Sequence, residues 1–309
     1  MSDRLHGKAV ALGLAILLIA GCDFQSGDAP KVAQVQEANR TDLASQRVVA
    51  DDGVRIAYQV SGHGDVALVF IHGWSCDASY WRAQLSEFAD AYTVVAPDLA
   101  GHGASGSGRQ DWSIPRFGQN VAAVVRTLPN ERVILIGHSM GGYVALEAAR
   151  MLPDRVVAIV GVDTLQDLGG QVVDDQQVQE LLTSLREQPR EATRKFASDT
   201  FFTPAADSAL KQRIVEDMSS APPEVAIPSM TALTQYDPKA VARTLGIPII
   251  AIVSDMMPVD EAAARRVAPD FSAVTMKGVG HFLHMERPEQ FNALLSSEIS
   301  TVLEQQPTQ

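Results

Sequence analysis

Three features of the chain predict an α/β fold: a mostly parallel central sheet with helices on both faces and a mainly helical cap insertion. From about residue 47 onward, short runs of branched apolar residues alternate with amphipathic stretches. That is the pattern of strands whose two faces are covered by crossover helices. Residues 135–143, LIGHSMGGY, pass abruptly from a strand-like run into a helix-like one, with a serine at the corner. Between 164 and 246 the alternation stops, leaving amphipathic segments such as VQELLTSLREQ and DSALKQRIVEDM, and strand–helix units resume after 247.

In chain order, strands are predicted over 54–60 and 67–72, flanking the turn SGHGD, then over 93–96, 133–136, 156–162, 249–253 and 272–276. Helical periodicity covers 79–89, 113–128, 141–151, 259–267 and 288–304. The run Val133, Ile134, Leu135, Ile136 suits a buried pleated surface. The 164–246 insertion is expected to lie on the sheet as a lid, with Phe196, Phe201, Phe202, Met230 and Tyr236 packed over a cleft.

The ends of the chain carry separate information. Arg4 and Lys8 precede an uninterrupted apolar run over 9–21, AVALGLAILLIAG, too short to span a bilayer as a helix. It ends in Ile19-Ala20-Gly21-Cys22, which resembles a bacterial lipoprotein signal. That resemblance implies cleavage of 1–21, lipidation of Cys22 and attachment to a membrane of the cell envelope, with the folded domain on the extracytoplasmic (periplasmic) side. Residues 22–46, rich in Gln, Ala, Asp and Ser, read as a flexible tether, and 47–309 as the folded domain. With Cys22 lipidated, Cys76 has no intramolecular disulfide partner. The formal charge of −12 carries no basic block and argues against nucleic acid as a partner.

The serine corner is Gly137-His138-Ser139-Met140-Gly141, a G-x-S-x-G motif. A nucleophile that must project into a cleft needs a sharp, strained turn, and side chains two residues away on either side would collide with the neighbouring strand and helix. The helix that starts there directs free N–H groups at developing negative charge. A serine hydroxyl becomes reactive when a base removes its proton, and histidine suits neutral pH. Of seven histidines only His281 and His284 follow Ser139. His281 comes just after the 272–276 strand and the turn 277–280, at the carboxyl edge where open α/β sheets build their sites. His284 is expected in the wall of the site.

Four stretches together, FIHGW (70–74), PDLAGHGASG (97–106), LIGHSMGGY (135–143) and GVGHFLHMERPEQF (278–291), resemble the α/β-hydrolase family in order and spacing. The resemblance covers 47–309 apart from the insertion. It implies a Ser–acid–His order, no cofactor, and structural roles for the loop residues His72 and His102. No metal site is expected, since no ligand pair with helical spacing accompanies those two histidines. Aspartate stands at the nucleophile position of family members that open epoxides or remove halides, so Ser139 argues against those activities.

The acid is open between two positions. Asp163 ends the 156–162 strand and Asp255 follows the 249–253 strand. The family usually places the acid in the loop after the strand that follows the insertion, which favours Asp255, although the glycine of its usual pattern is missing and a strict match falls on Met257. Backbone N–H groups of Met140 and Trp74 are expected to form the oxyanion hole. The resulting expectation is a serine hydrolase acting on carboxylic esters, or related acyl bonds, of small to medium apolar substrates through an acyl-enzyme. A carbon–carbon bond hydrolase, a cofactor-free perhydrolase and a non-catalytic small-molecule binding protein are the alternatives.

Overall fold

The branched runs find one another edge to edge. In the computed structural model, which describes residues 44–170 and 175–305, β1 (Ala44–Val49) and β2 (Arg55–Ser61) pair antiparallel. β3 (Val66–Ile71), α1 (Arg82–Phe88) and β4 (Thr93–Pro97) follow, then α2 (Ile114–Thr127), β5 (Arg132–His138), α3 (Met140–Met151) and β6 (Val156–Val162). Five helices come next: α4 (Asp175–Glu187), α5 (Pro189–Thr200), α6 (Ser208–Ser219), α7 (Pro223–Thr234) and α8 (Pro238–Leu245). The chain returns to the sheet with β7 (Ile249–Ser254), α9 (Glu261–Arg265), β8 (Phe271–Met276), α10 (Leu283–Glu286) and α11 (Pro288–Gln305).

Among the described residues the strands form one sheet of eight, in the order β1-β2-β4-β3-β5-β6-β7-β8. β2 runs antiparallel to both neighbours, and every pair from β4 to β8 is parallel. Side-chain alternation splits the core in two: Val133 and Leu135 of β5 pack with α2, α3 and the inserted helices, whereas Ile134 and Ile136 pack with α1 and α11. Burial on both faces explains why the inner parallel strands β3 to β7 read as continuous apolar runs, whereas the edge strand β8 is only partly buried.

β1 starts at Ala44, inside the stretch assigned to the tether. It is an edge strand with exposed Ser45 and Gln46, and Val49 is 61% exposed, so it lacks the apolar periodicity that marks the inner strands. The expected lipoprotein signal with Cys22, and the expected tether up to residue 43, lie outside the described residues. Among the described residues no helix is long and apolar enough to cross a membrane.

The inserted helices cover the carboxyl edge of the sheet and are tied to it by hydrogen bonds. Tyr80 donates to Asp217 of α6 (2.6 Å), the Trp74 indole donates to the Ala226 carbonyl of α7 (2.8 Å), and Tyr236 donates to Glu147 of α3 (3.0 Å). α8 packs on α3, anchoring the end of the insertion to the sheet's helical layer.

Candidate active site

Ser139 sits between β5 and α3 with φ 52° and ψ −122°. A non-glycine residue held there costs on the order of 1–3 kcal/mol, which the surrounding packing must offset. Its N–H donates to the Val162 carbonyl of β6 (3.1 Å), and its carbonyl accepts from Gly142 (2.9 Å), so both backbone groups are fixed. The flanking glycines are needed for closeness. A Cβ on Gly137 would lie 2.2 Å from the Gly141 carbonyl oxygen, and one on Gly141 would lie 2.4 Å from that of Ile71. Any side chain at either position would pry the helix from the strand.

The loop after β8 carries His281, whose Nδ1 lies 2.7 Å from Oδ2 of Asp163. An ionised carboxylate only accepts, so Nδ1 carries the proton and Nε2 is left for a group in the cleft. Asp163 ends β6 with φ 48°. Its other oxygen accepts from the Ser254 N–H at 2.7 Å, and its own N–H donates to Ile252 (2.8 Å). β7 thus holds the residue twice, the carboxylate through the Ser254 N–H and the main chain through the Ile252 carbonyl. The expectation of Asp255 as the orienting acid is corrected here. Asp255 is exposed and accepts a hydrogen bond from the Gly278 N–H (2.9 Å), so it braces the turn leading to His281 without touching the imidazole.

Several residues that sequence reasoning left out, or read only as lid, hold the histidine. Phe201, just past α5, stacks on the His281 ring (centroids 4.6 Å apart, planes 22° apart), and its carbonyl accepts the His281 N–H (2.8 Å). A Cβ on Gly280 would lie 2.3 Å from that carbonyl oxygen, so glycine permits the approach. Glu286 accepts the Gly280 N–H at 3.0 and 3.1 Å, and burial pushes its carboxyl above the usual range. His138 donates from Nε2 to the His281 carbonyl (2.9 Å), and burial keeps it neutral, far below the usual histidine range.

Three further buried histidines, His72, His102 and His284, are structural. His72 donates from Nδ1 to the Gly73 carbonyl (2.8 Å) and accepts the Leu99 N–H at Nε2 (2.9 Å), with burial lowering its pKa to about 4. His102 donates to the Ala100 carbonyl, and burial lowers it to about 3. His284 is buried and stacks on Trp81 (4.3 Å, 29°), also lowered to about 3 by burial.

Ser139, His281 and Gly73 line one cavity of about 140 Å³, to which α5, α6 and α7 contribute Phe196, Met218, Met230 and Leu233. Trp74 lines it too, and Met140 opens α3 beside it. Neither backbone N–H has an acceptor in the described protein, leaving both for an oxygen on a substrate. Taken together, the corner, the imidazole–carboxylate pair and two open amides can activate a hydroxyl and receive a developing oxyanion.

The sequence profile described as the alpha/beta hydrolase family matches residues 68–294, from β3 into α11. The chain belongs to the α/β-hydrolase family. Hydrolase activity is what this membership supports. This α/β-hydrolase is 28% identical, over 96% of its length and 80% of the other, to a dihydrolipoyllysine-residue acetyltransferase component of an acetoin cleaving system from Cupriavidus necator. It is 26% identical to 3-oxoadipate enol-lactonase 2 of Acinetobacter baylyi, over 77% of its own length and 91% of that protein's. An esterase from Thermogutta terrifontis shares its fold, with a TM-score of 0.73 and 21% identity, over 84% of this chain and 99% of that one.

Proposed function

We propose that this protein is a serine hydrolase that cleaves carboxylic esters of small to medium apolar substrates through an acyl-enzyme. The observation that carries the proposal is the 2.7 Å contact of Asp163 with His281, which lines the same cavity as the strained Ser139. Ser139 Oγ attacks the ester carbonyl while His281 Nε2 takes its proton. Asp163 holds the imidazole in the productive tautomer and stabilises its cation. The N–H groups of Trp74 and Met140 receive the oxyanion, a contribution of about 3 kcal/mol per donor in acyl transfer. The alcohol leaves with the proton from His281, and water, deprotonated by the same imidazole, then releases the acid and regenerates Ser139. The relatives named for acetyl transfer and lactone opening support acyl chemistry at this site.

The test is hydrolysis of p-nitrophenyl butyrate. Ser139→Ala and His281→Ala should each lose at least about 10³-fold in kcat. Unchanged turnover in either variant would overturn the proposal. The relative named as an acetyltransferase component favours a second reading, transfer of the acyl group to an acceptor other than water. A new ester or thioester formed on adding an alcohol or thiol, at the expense of free acid, would establish it.

The enzyme works from a membrane surface of the cell envelope, with a lipid on Cys22. The apolar run 9–21, whose last three residues with the next form Ile19-Ala20-Gly21-Cys22, supports this reading. Cys22→Ser should shift the protein from the membrane fraction to the soluble one, and unchanged membrane retention would contradict the anchor.

A further inference from the structure

The cavity above Ser139 is small, and its walls are apolar. On one side an aromatic chain runs from Trp74 to Phe196 (6.3 Å, 72°), from Phe196 to Phe201 (5.0 Å, 74°) and from Phe201 to the imidazole of His281. Such edge-on and stacked rings form a stiff wall. The opposite end is lined by Met218, Met230 and Leu233 from α6 and α7. Met218 and Met230 are 2% and 4% exposed, so both side chains are packed in the core at that end. A volume of about 140 Å³ is close to that of the ~150 Å³ apolar cavity that takes up benzene, which has six carbon atoms.

The electrostatics of the cavity are one-sided. Among the described residues lining it there is no lysine or arginine, and the only basic side chains are His138, which is neutral, and His281. Asp217 stands next to Met218 in the chain and bonds Tyr80. Burial first, and then the charges of Asp217 and Asp77, push the Cys76 thiol in the cavity wall above its usual range. A carboxylate carried into this space would lose its water and meet no lysine or arginine among the lining residues.

Taking the serine-hydrolase reading as given, we infer that the site selects a short, uncharged acyl group of no more than about six heavy atoms beyond the carbonyl carbon. Met218 and Met230 set the length limit, and the absence of a facing cation excludes acyl groups that end in a carboxylate. Each methylene beyond the limit must displace packed side chains, whereas one added within it fills empty apolar space. Methionine side chains are flexible, so the upper limit is graded over two or three carbons rather than abrupt.

The experiment measures kcat/KM of the full-length protein on p-nitrophenyl acetate, butyrate, hexanoate, octanoate and decanoate. It adds the pentanoate and the hemisuccinate, two acyl groups of nearly equal length that differ in a terminal carboxylate. Expected are a maximum at butyrate or hexanoate, a fall of at least tenfold from hexanoate to decanoate, and a preference of at least about 100-fold for pentanoate over hemisuccinate. Met230→Ala should move the maximum toward octanoate. Ser139-dependent hydrolysis that is fastest on decanoate, or equal on pentanoate and hemisuccinate, overturns the inference while leaving the hydrolase reading intact. Hydrolysis of no ester in the series, or hydrolysis that survives Ser139→Ala, overturns the hydrolase reading and the selectivity with it. The wild-type series decides the question even if Met230→Ala fails to fold.

Discussion

β6 and β7 lie side by side in the sheet, and each is followed at once by an aspartate: Asp163 after Val162, Asp255 after Ser254. The two carboxylates have opposite fates. Asp163 turns inward with a positive φ, is gripped by the Ser254 and Ile252 backbone, and meets His281. Asp255 turns outward and braces Gly278, with exposed Met256 and Met257 behind it. Strand end and residue type are therefore insufficient to make an acid part of the site. Each carboxylate accepts one backbone N–H, and what separates the two is enclosure: Asp163 is turned inward beside the imidazole, whereas Asp255 stays exposed.

The largest expected effect would break this comparison outright. Asp163→Asn keeps the shape but cannot stabilise the imidazolium, and should lower kcat by about 10⁴-fold, whereas Asp255→Asn should stay within a few-fold of wild type. Steady-state kinetics on butyrate ester decide between them, and equal losses would erase the distinction. Gly280→Ala tests the other side of the imidazole. Its Cβ would intrude on the Phe201 carbonyl, so the loop or α5 must shift, and displacement of the base should cost on the order of 100-fold in kcat. A Gly280→Ala enzyme of normal kcat would show that Phe201 is a bystander.

Enclosure should also be visible in the pH dependence of stability. His72, His102 and His284 are buried with pKa values lowered to about 4, 3 and 3. The unfolded chain, with histidine near 6.5, binds these protons first as pH falls. Stability should therefore be full above about pH 6.5 and decline below it, by up to about 1.4 kcal/mol per pH unit for each histidine, until the folded-state values are reached. His284→Phe should flatten that slope by one proton, as measured by denaturant unfolding between pH 4.5 and 7. An unchanged slope would mean that His284 is protonated in the folded state. The smallest effect belongs to the open loop: Asp255→Ala removes one exposed hydrogen bond and should cost less than about 1 kcal/mol in the same unfolding measurement.

Much of the sheet was legible because parallel strands buried on both faces must be continuous apolar runs, and the serine corner because its glycines are dictated by contacts below 2.5 Å. The position of His281 could be read from its place after β8. The acid could not, because nothing in residue type separates Asp163 from Asp255. The family habit pointed to the β7 loop, and the missing glycine there was the one sign that the acid had moved. The docking of α5 onto the imidazole was hidden for a different reason. It runs through the backbone carbonyl of Phe201 and a bare Gly280, and main-chain contacts leave no pattern along the chain. Phe201 itself was readable only as an apolar lid residue.

The most direct measurement is covalent labelling by a fluorophosphonate, read by peptide mass spectrometry with its rate followed over time. One adduct per chain on Ser139 is expected, formed at wild-type rate in Asp255→Asn, slowed by orders of magnitude in Asp163→Asn and His281→Ala, and absent in Ser139→Ala. An adduct on another residue, or labelling of Ser139 that depends on Asp255 and not on Asp163, would contradict the assignment of the site.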